Sequence, residues 1–235
     1  MIDGRKRLIV ALDFPEVEKA RALVHHLGDR VSFYKVGKEL FTAAGPSLVR
    51  ELIDGGKKVF LDLKFHDIPN TVAGAVRTAS ALGVSLLTVH ASGGSKMLQA
   101  GAEAAAQSAG KPTVLAVTVL TSLTDPELAA TGVPGGVEAQ VLRLARLALD
   151  AGCGGIVASA QEARSLRQAN GDGFTLVTPG IRAAGGVAAD QARVVTPELA
   201  IRAGANYLVV GRPIAAADDP LAAIATFLEQ IERAE

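Results

Sequence analysis

TVLAVTVL, residues 113–120, carries apolar side chains at both odd and even positions, so a strand formed here has no face to offer water. A strand half-exposed to solvent would alternate polar and apolar residues; this one suits a parallel sheet covered on both sides. The same kind of run recurs in both directions along the chain. Upstream stand LLTVH at 86–90, VFLDLK at 59–64, FYKVG at 33–37 and LIVALD at 8–13; downstream stand GIVASA at 155–160, FTLVTPG at 174–180 and YLVVG at 207–211.

The segments between these runs have helical spacing. Val17, Ala20, Val24 and Leu27 form one apolar stripe, and Leu221, Ile224, Leu228 and Ile231 form another. Boundary signals agree with crossover helices: Ser159 with Glu162 reads as a capping box, Thr196 precedes Pro197 at a first helical position, and Gly83 and Gly204 follow helix ends. Strands alternating with helices in this number predict a (β/α)8 barrel in a single domain spanning residues 1–235. The competing layout is an open, doubly wound sheet. That layout calls for a glycine-rich turn after the first strand, where LIVALDFPE stands instead.

Composition narrows the partners. The 235 residues hold 24 Lys plus Arg against 24 Asp plus Glu, for a formal net charge of zero. With no block of like charge, neither nucleic acid nor an anionic membrane is expected as a partner. No apolar run reaches the ~18 residues of a bilayer span. The single cysteine, Cys153, has no intrachain partner for a disulfide, and MIDGRKR leads directly into the first strand, so a cytoplasmic protein is expected.

Barrel enzymes place their chemistry at the C-terminal ends of the strands, which directs attention to the charges closing these runs: Asp13, Lys35, Asp62 with Lys64, His90 and Arg212. A charge at the end of a buried strand costs desolvation energy unless it is paired or faces a ligand cavity. The densest group is Asp62-Leu63-Lys64-Phe65-His66-Asp67. Alternation points Asp62 and Lys64 to the same side, with Asp67 in the loop beyond, and Lys35 adds a second ammonium to make an alternating charge network. The same residues also suit ordinary salt bridges at a barrel rim. Gly180-Ile181-Arg182 after the seventh run and Gly211-Arg212 after the eighth stand where barrels bind phosphate, and the small residues of Ala183–Ala189 suit a mobile lid. His25 and His26 read as solvent-facing, His90 as a packed polar residue, and Cys153 as a small residue before a strand. Neither an HxxxH pair nor a Cys/His cluster supports a zinc site.

In these motifs the sequence resembles the bacterial-type orotidine 5′-phosphate decarboxylase family along nearly its whole length: LIVALDF, FYKVGKELF, VFLDLKFHDIPNTV, TVHASGG, VTVLTSL, VTPGIR, DQARVVTP and YLVVGRPI stand in the family's order. The resemblance implies cofactor-independent decarboxylation of orotidine 5′-phosphate to UMP, the last step of de novo UMP synthesis, in a homodimer. It implies that Lys35, Asp62, Lys64 and Asp67 form the charged tetrad, with Lys64 as proton donor to C6. Asp67 and Thr71 would reach the neighbouring subunit's site, Asp13 and Lys35 would contact the ribose hydroxyls, and Thr121 and Ser122 would hold the pyrimidine. Arg182, Gln191, Gly211 and Arg212 would serve the phosphate. Neither a cofactor nor a metal is implied. The segment Thr124–Gly136 is too irregular to align. Related sugar-phosphate barrels share DxKxxD but use Mg2+, and Lys35 places a cation where a metal would be unwelcome; a catalytically silent barrel would have these charged residues broken or replaced.

Overall fold

The computed structural model describes residues 6–183 and 195–234. In these, each apolar run forms a parallel strand: β1 (Leu8–Ala11), β2 (Phe33–Gly37), β3 (Lys58–Phe65), β4 (Leu86–His90), β5 (Thr113–Val117), β6 (Gly155–Val157), β7 (Thr175–Thr178) and β8 (Tyr207–Val210). They pair in chain order and close into a barrel, β8 against β1 through Leu8↔Leu208, Ile9↔Val209 and Val10↔Val210. Between and around them lie α1 (Val17–Leu27), α2 (Lys38–Ala44), α3 (Pro46–Asp54), α4 (Pro69–Ser80), α5 (Ser95–Ala106), α6 (Asp125–Ala130), α7 (Gly136–Asp150), α8 (Ala163–Asn170), α9 (Pro197–Arg202), α10 (Arg212–Ala215) and α11 (Pro220–Glu232). The (β/α)8 architecture expected from the sequence is present.

Strand alternation divides the apolar residues into two cores. Ile9, Phe33, Phe60, Leu115, Val177 and Val209 belong to the set that fills the barrel, while Val10, Tyr34, Leu61, Leu87 and Ile156 point outward against the helices. This explains the lack of polar alternation in the sequence, since both faces of each strand are dry.

Several strands stop short of their apolar runs: β1 ends at Ala11 rather than Asp13, β5 at Val117 rather than Leu120, and β6 at Val157. Asp13 and Thr121 therefore stand on loops beyond the strand ends. The unaligned segment Thr124–Gly136 contains α6, started by a capping box in which Glu127 Oε2 accepts from Thr124 N and from Thr124 Oγ1, each at 2.7 Å. The capping box at Ser159 and Glu162 is present too, heading a 3-10 turn that runs into α8. Among the described residues no helix is long and apolar enough to cross a membrane.

Opposite the strand C-termini, one guanidinium ties the barrel floor together. Arg167 donates to Gly204 O at 2.8 and 3.0 Å, to Phe174 O at 3.0 Å and to Asn206 Oδ1 at 2.7 Å, and lies 4.3 Å over the Phe174 ring. Asn206 Oδ1 also accepts from Leu176 N, so the approaches to β7 and β8 share one neutral acceptor.

Gly155 shows how little room the interior leaves. A Cβ there would stand 2.3 Å from the Thr175 carbonyl oxygen and 2.6 Å from Leu115 Cδ2. The first is backbone in the adjacent strand and has nowhere to go. Gly155→Ala is therefore expected to destabilise the fold by about 2–3 kcal/mol in urea titration; a loss under about 0.5 kcal/mol, the range of neutral surface changes, would refute this packing.

Candidate active site

The ladder between β3 and β4 is interrupted where the charges begin. Leu61 pairs with Leu87 and Phe65 with Val89, so Asp62, Leu63 and Lys64 pass against Thr88 alone. Lys64 takes up the excess chain with φ +53°, a left-handed conformation that costs a residue other than glycine roughly 1–2 kcal/mol. Asp62 and Lys64 do face the same way, but through this irregular turn rather than through regular alternation.

Hydrogen bonds close the turn. Lys64 N donates to Thr88 Oγ1 at 2.8 Å, and Thr88 Oγ1 donates in turn to Asp62 Oδ1 at 3.0 Å. The Lys64 ammonium lies 2.7 Å from both Asp62 oxygens. From β2, Lys35 Nζ stands 3.8 Å from Asp62 Oδ2 and donates to Asp13 Oδ1 at 2.7 Å. The result is an alternating chain, Asp13–Lys35–Asp62–Lys64, with Lys35 only 8% exposed. Burial alone would push the Asp62 carboxyl up. Lys64, Lys35 and the hydrogen bonds from Lys64 and Thr88 outweigh it and hold the carboxyl below its usual range, so Asp62 is an anion at neutral pH.

These groups face a cavity of about 160 Å³. Lys35, Asp62 and Lys64 line one side; Val117, Val119, Val157 and Pro179 are among the apolar residues of the other, and Thr121 sits at its edge. The volume is below the ~300–1,000 Å³ of whole-ligand pockets, so it suits one ring of a ligand whose remainder extends over the mouth. At the same end of the barrel, Asp13 stands beyond β1, Arg182 beyond β7, and Gly211 and Arg212 beyond β8; a Cβ on Gly211 would come within 3.7 Å of Asp13 Oδ2. Arg182 is buried and Arg212 exposed. A larger groove of about 910 Å³, bordered by Arg30, Ser32 and Glu232, lies at the opposite end of the barrel, away from these charges.

Other expected site residues are placed differently. Asp67 is exposed and its Oδ1 accepts from Ile68 N at 2.6 Å; among the described residues it joins no ion pair, and Asp13 ends the alternating chain. Thr71 is exposed in the first turn of α4, and Ser122 is exposed beside Thr121. Gln191 lies outside the described residues, as do residues 184–189 of the expected lid. His25 and His26 are exposed. His90 is half-buried with its ring 5.5 Å from that of His66, and burial, helped by the nearby His66, Lys38 and Lys64 charges, holds its pKa below the usual value. Cys153 is buried, and burial pushes its thiol up to about 12, which leaves it protonated and unreactive. Among the described residues no group of His, Cys, Asp and Glu is arranged to hold a metal ion.

Thr88 escaped the sequence reading. Its only signal was position: Leu86 faces the barrel interior, and two residues on the same face follows.

The chain is similar to known proteins along nearly its whole length. The family model described as orotidine 5′-phosphate decarboxylase / HUMPS family matches residues 6–227. The chain is 53% identical over 222 residues to an orotidine 5′-phosphate decarboxylase of Alkalilimnicola ehrlichii, covering 94% of each protein. It is 51% identical over 233 residues to that of Halorhodospira halophila, covering 99% of each. A crystal structure of orotidine 5′-phosphate decarboxylase from Lactobacillus acidophilus is similar with a TM-score of 0.86 and 40% identity, over 96% of this chain and 99% of that one.

Gly37 gives a test of the charge chain. A Cβ there would stand 2.9 Å from Lys35 Nζ and 3.0 Å from Asp13 Oδ1, both at the ends of movable side chains. Gly37→Ala should part this pair while changing folding stability by no more than about 1 kcal/mol; a crystal structure of the variant with the 2.7 Å contact intact would contradict it.

Proposed function

The chain belongs to the orotidine 5′-phosphate decarboxylase / HUMPS family, and from that membership we infer that it removes CO2 from orotidine 5′-phosphate to give UMP, the last step of UMP synthesis. The observation that carries this reading is the Lys64 ammonium, fixed between both Asp62 oxygens at the edge of a ring-sized cavity.

The chemistry asks for such a group. When the bond from C6 to the carboxylate breaks, CO2 leaves and the electron pair stays on C6, where no adjacent carbonyl takes it up directly. Stabilisation then has to come from charge fixed before the reaction. Lys64 supplies a cation beside the forming carbanion and passes a proton to C6, ending as a neutral amine that is reprotonated from solvent. Asp62 keeps that cation oriented, and Lys35 helps to hold Asp62 ionised; neighbouring opposite charges lower the cost of burying each. Asp13 and Lys35 suit the ribose hydroxyls, Thr121 and Ser122 the pyrimidine, and Arg182, Gln191, Gly211 and Arg212 the phosphate. Binding of the remote phosphate can be used at the transition state, so Arg212 should affect rate as well as affinity.

Asp67 and Thr71 belong to a run from His66 to Thr71 that is exposed throughout and includes Ile68 at 67% exposure. A large apolar side chain presented among polar groups suits a second copy of the chain. We read the enzyme as a cytoplasmic, single-domain homodimer in which Asp67 and Thr71 enter the partner's site. The Mg2+-dependent alternative is disfavoured by Lys35, which occupies the space between Asp13 and Asp62 where a metal would otherwise be drawn.

Loss of orotidine 5′-phosphate absorbance should proceed undiminished in EDTA, whereas Lys64→Ala should lower kcat by about 10^4-fold or more with its circular dichroism unchanged. An active Lys64→Ala protein would remove the proton-donor role, and inactivation by EDTA would favour metal-dependent chemistry. Arg212→Ala should raise KM by about tenfold, the loss of one charged hydrogen-bonding group. Sedimentation at assay concentration should show a dimer; a fully active monomer would exclude the contribution of Asp67 across an interface.

A further inference from the structure

We propose that Thr88 is a positioning residue for the decarboxylation, holding Lys64 and Asp62 in reacting geometry through one buried hydroxyl. Its Oγ1 is bonded on both sides, accepting from Lys64 N at 2.8 Å and donating to Asp62 Oδ1 at 3.0 Å. In a regular parallel ladder the Lys64 amide would find a carbonyl on β4, but the register shift removes that partner, and the Thr88 side chain serves instead. The same oxygen fixes the rotation of the Asp62 carboxylate, both of whose oxygens face the Lys64 ammonium. Backbone and side chain of Lys64 are thus tied to one point on β4. Thr88 itself is fully buried and does not line the cavity, so it acts on the substrate only through these two residues.

A hydroxyl is required because both roles fall on one atom, one as donor and one as acceptor. Valine has the same shape and can do neither. With the amide unsatisfied, the left-handed Lys64 backbone loses its partner and the strand is free to straighten.

The proposal rests on the decarboxylase reading, and two measurements separate them. In steady-state assays with orotidine 5′-phosphate, Thr88→Val should lower kcat by about 100-fold, as expected for ångström-scale misplacement of a reacting group, with KM changed less than about threefold; Thr88→Ser should recover kcat to within about fivefold. Equal losses in Val and Ser variants, or a change confined to KM, would overturn the positioning role. Independently of turnover, a crystal structure of Thr88→Val should show Lys64 out of the left-handed region and its ammonium withdrawn from Asp62. An unmoved Lys64 overturns the proposal even if the wild type decarboxylates, and a moved one upholds it even if the substrate proves to be another. Should the valine variant not fold, Thr88→Ala, which removes the hydroxyl without placing a methyl against Asp62 and the Lys64 amide, is read in the same way.

Discussion

Closing eight parallel strands into one barrel commits every second side chain of each strand to a space without water. At most levels the answer is apolar packing, tight enough at Gly155 that no Cβ fits. At the C-terminal level the same inward-facing columns present Lys35, Asp62 and Thr88, immediately above Phe33, Phe60 and Leu86. Charges in that position persist only by neutralising one another. The alternation of Asp13, Lys35, Asp62 and Lys64 is the arrangement that does so, and the depressed Asp62 carboxyl shows that pairing prevails over desolvation.

The departure of β3 from regular geometry follows from the same demand. A regular strand would leave successive inward side chains one layer apart, about 6.6 Å along the strand, and would give the Lys64 amide a ladder partner in place of a side chain. Three residues of β3 compressed against Thr88 bring them together. The roughly 1–2 kcal/mol spent on left-handed Lys64 is of the same order as the hydrogen bonds that Thr88 makes to its amide and to the charged Asp62, so the strained turn is held locally rather than by the barrel as a whole.

Much of this was legible in the sequence because burial on both faces leaves a strong signature: each strand is a near-continuous apolar run, and charged residues closing such runs stand out. What was not legible shares one property, dependence on local geometry without a periodic signal. Helix α6 buries only Leu128, so no stripe marks it, although Thr124-Asp125-Pro126-Glu127 carries its start signal. Thr88 reads as an ordinary β-branched strand residue in LLTVH, and nothing in VFLDLK announces the extra residues that make its hydroxyl necessary. Alternation puts Asp62 and Lys64 on one side, a placement that the irregular turn achieves instead, and among the described residues it is Asp13, set on a loop by the early end of β1, that pairs with Lys35 while Asp67 joins no ion pair.

The two ends of the barrel are secured by different chemistry. Below, Arg167 holds neutral carbonyls and an amide, with the exposed Asp172 3.7 Å away, contacts that stand apart from the charged cavity. Above, the part-buried ionic contacts of Lys35, Asp62 and Lys64 stand on strand tips at the far end from that floor. The fold is therefore modular along its axis: a descendant could acquire a new substrate by rewriting one rim, while inheriting intact the foundation on which any such rim must stand.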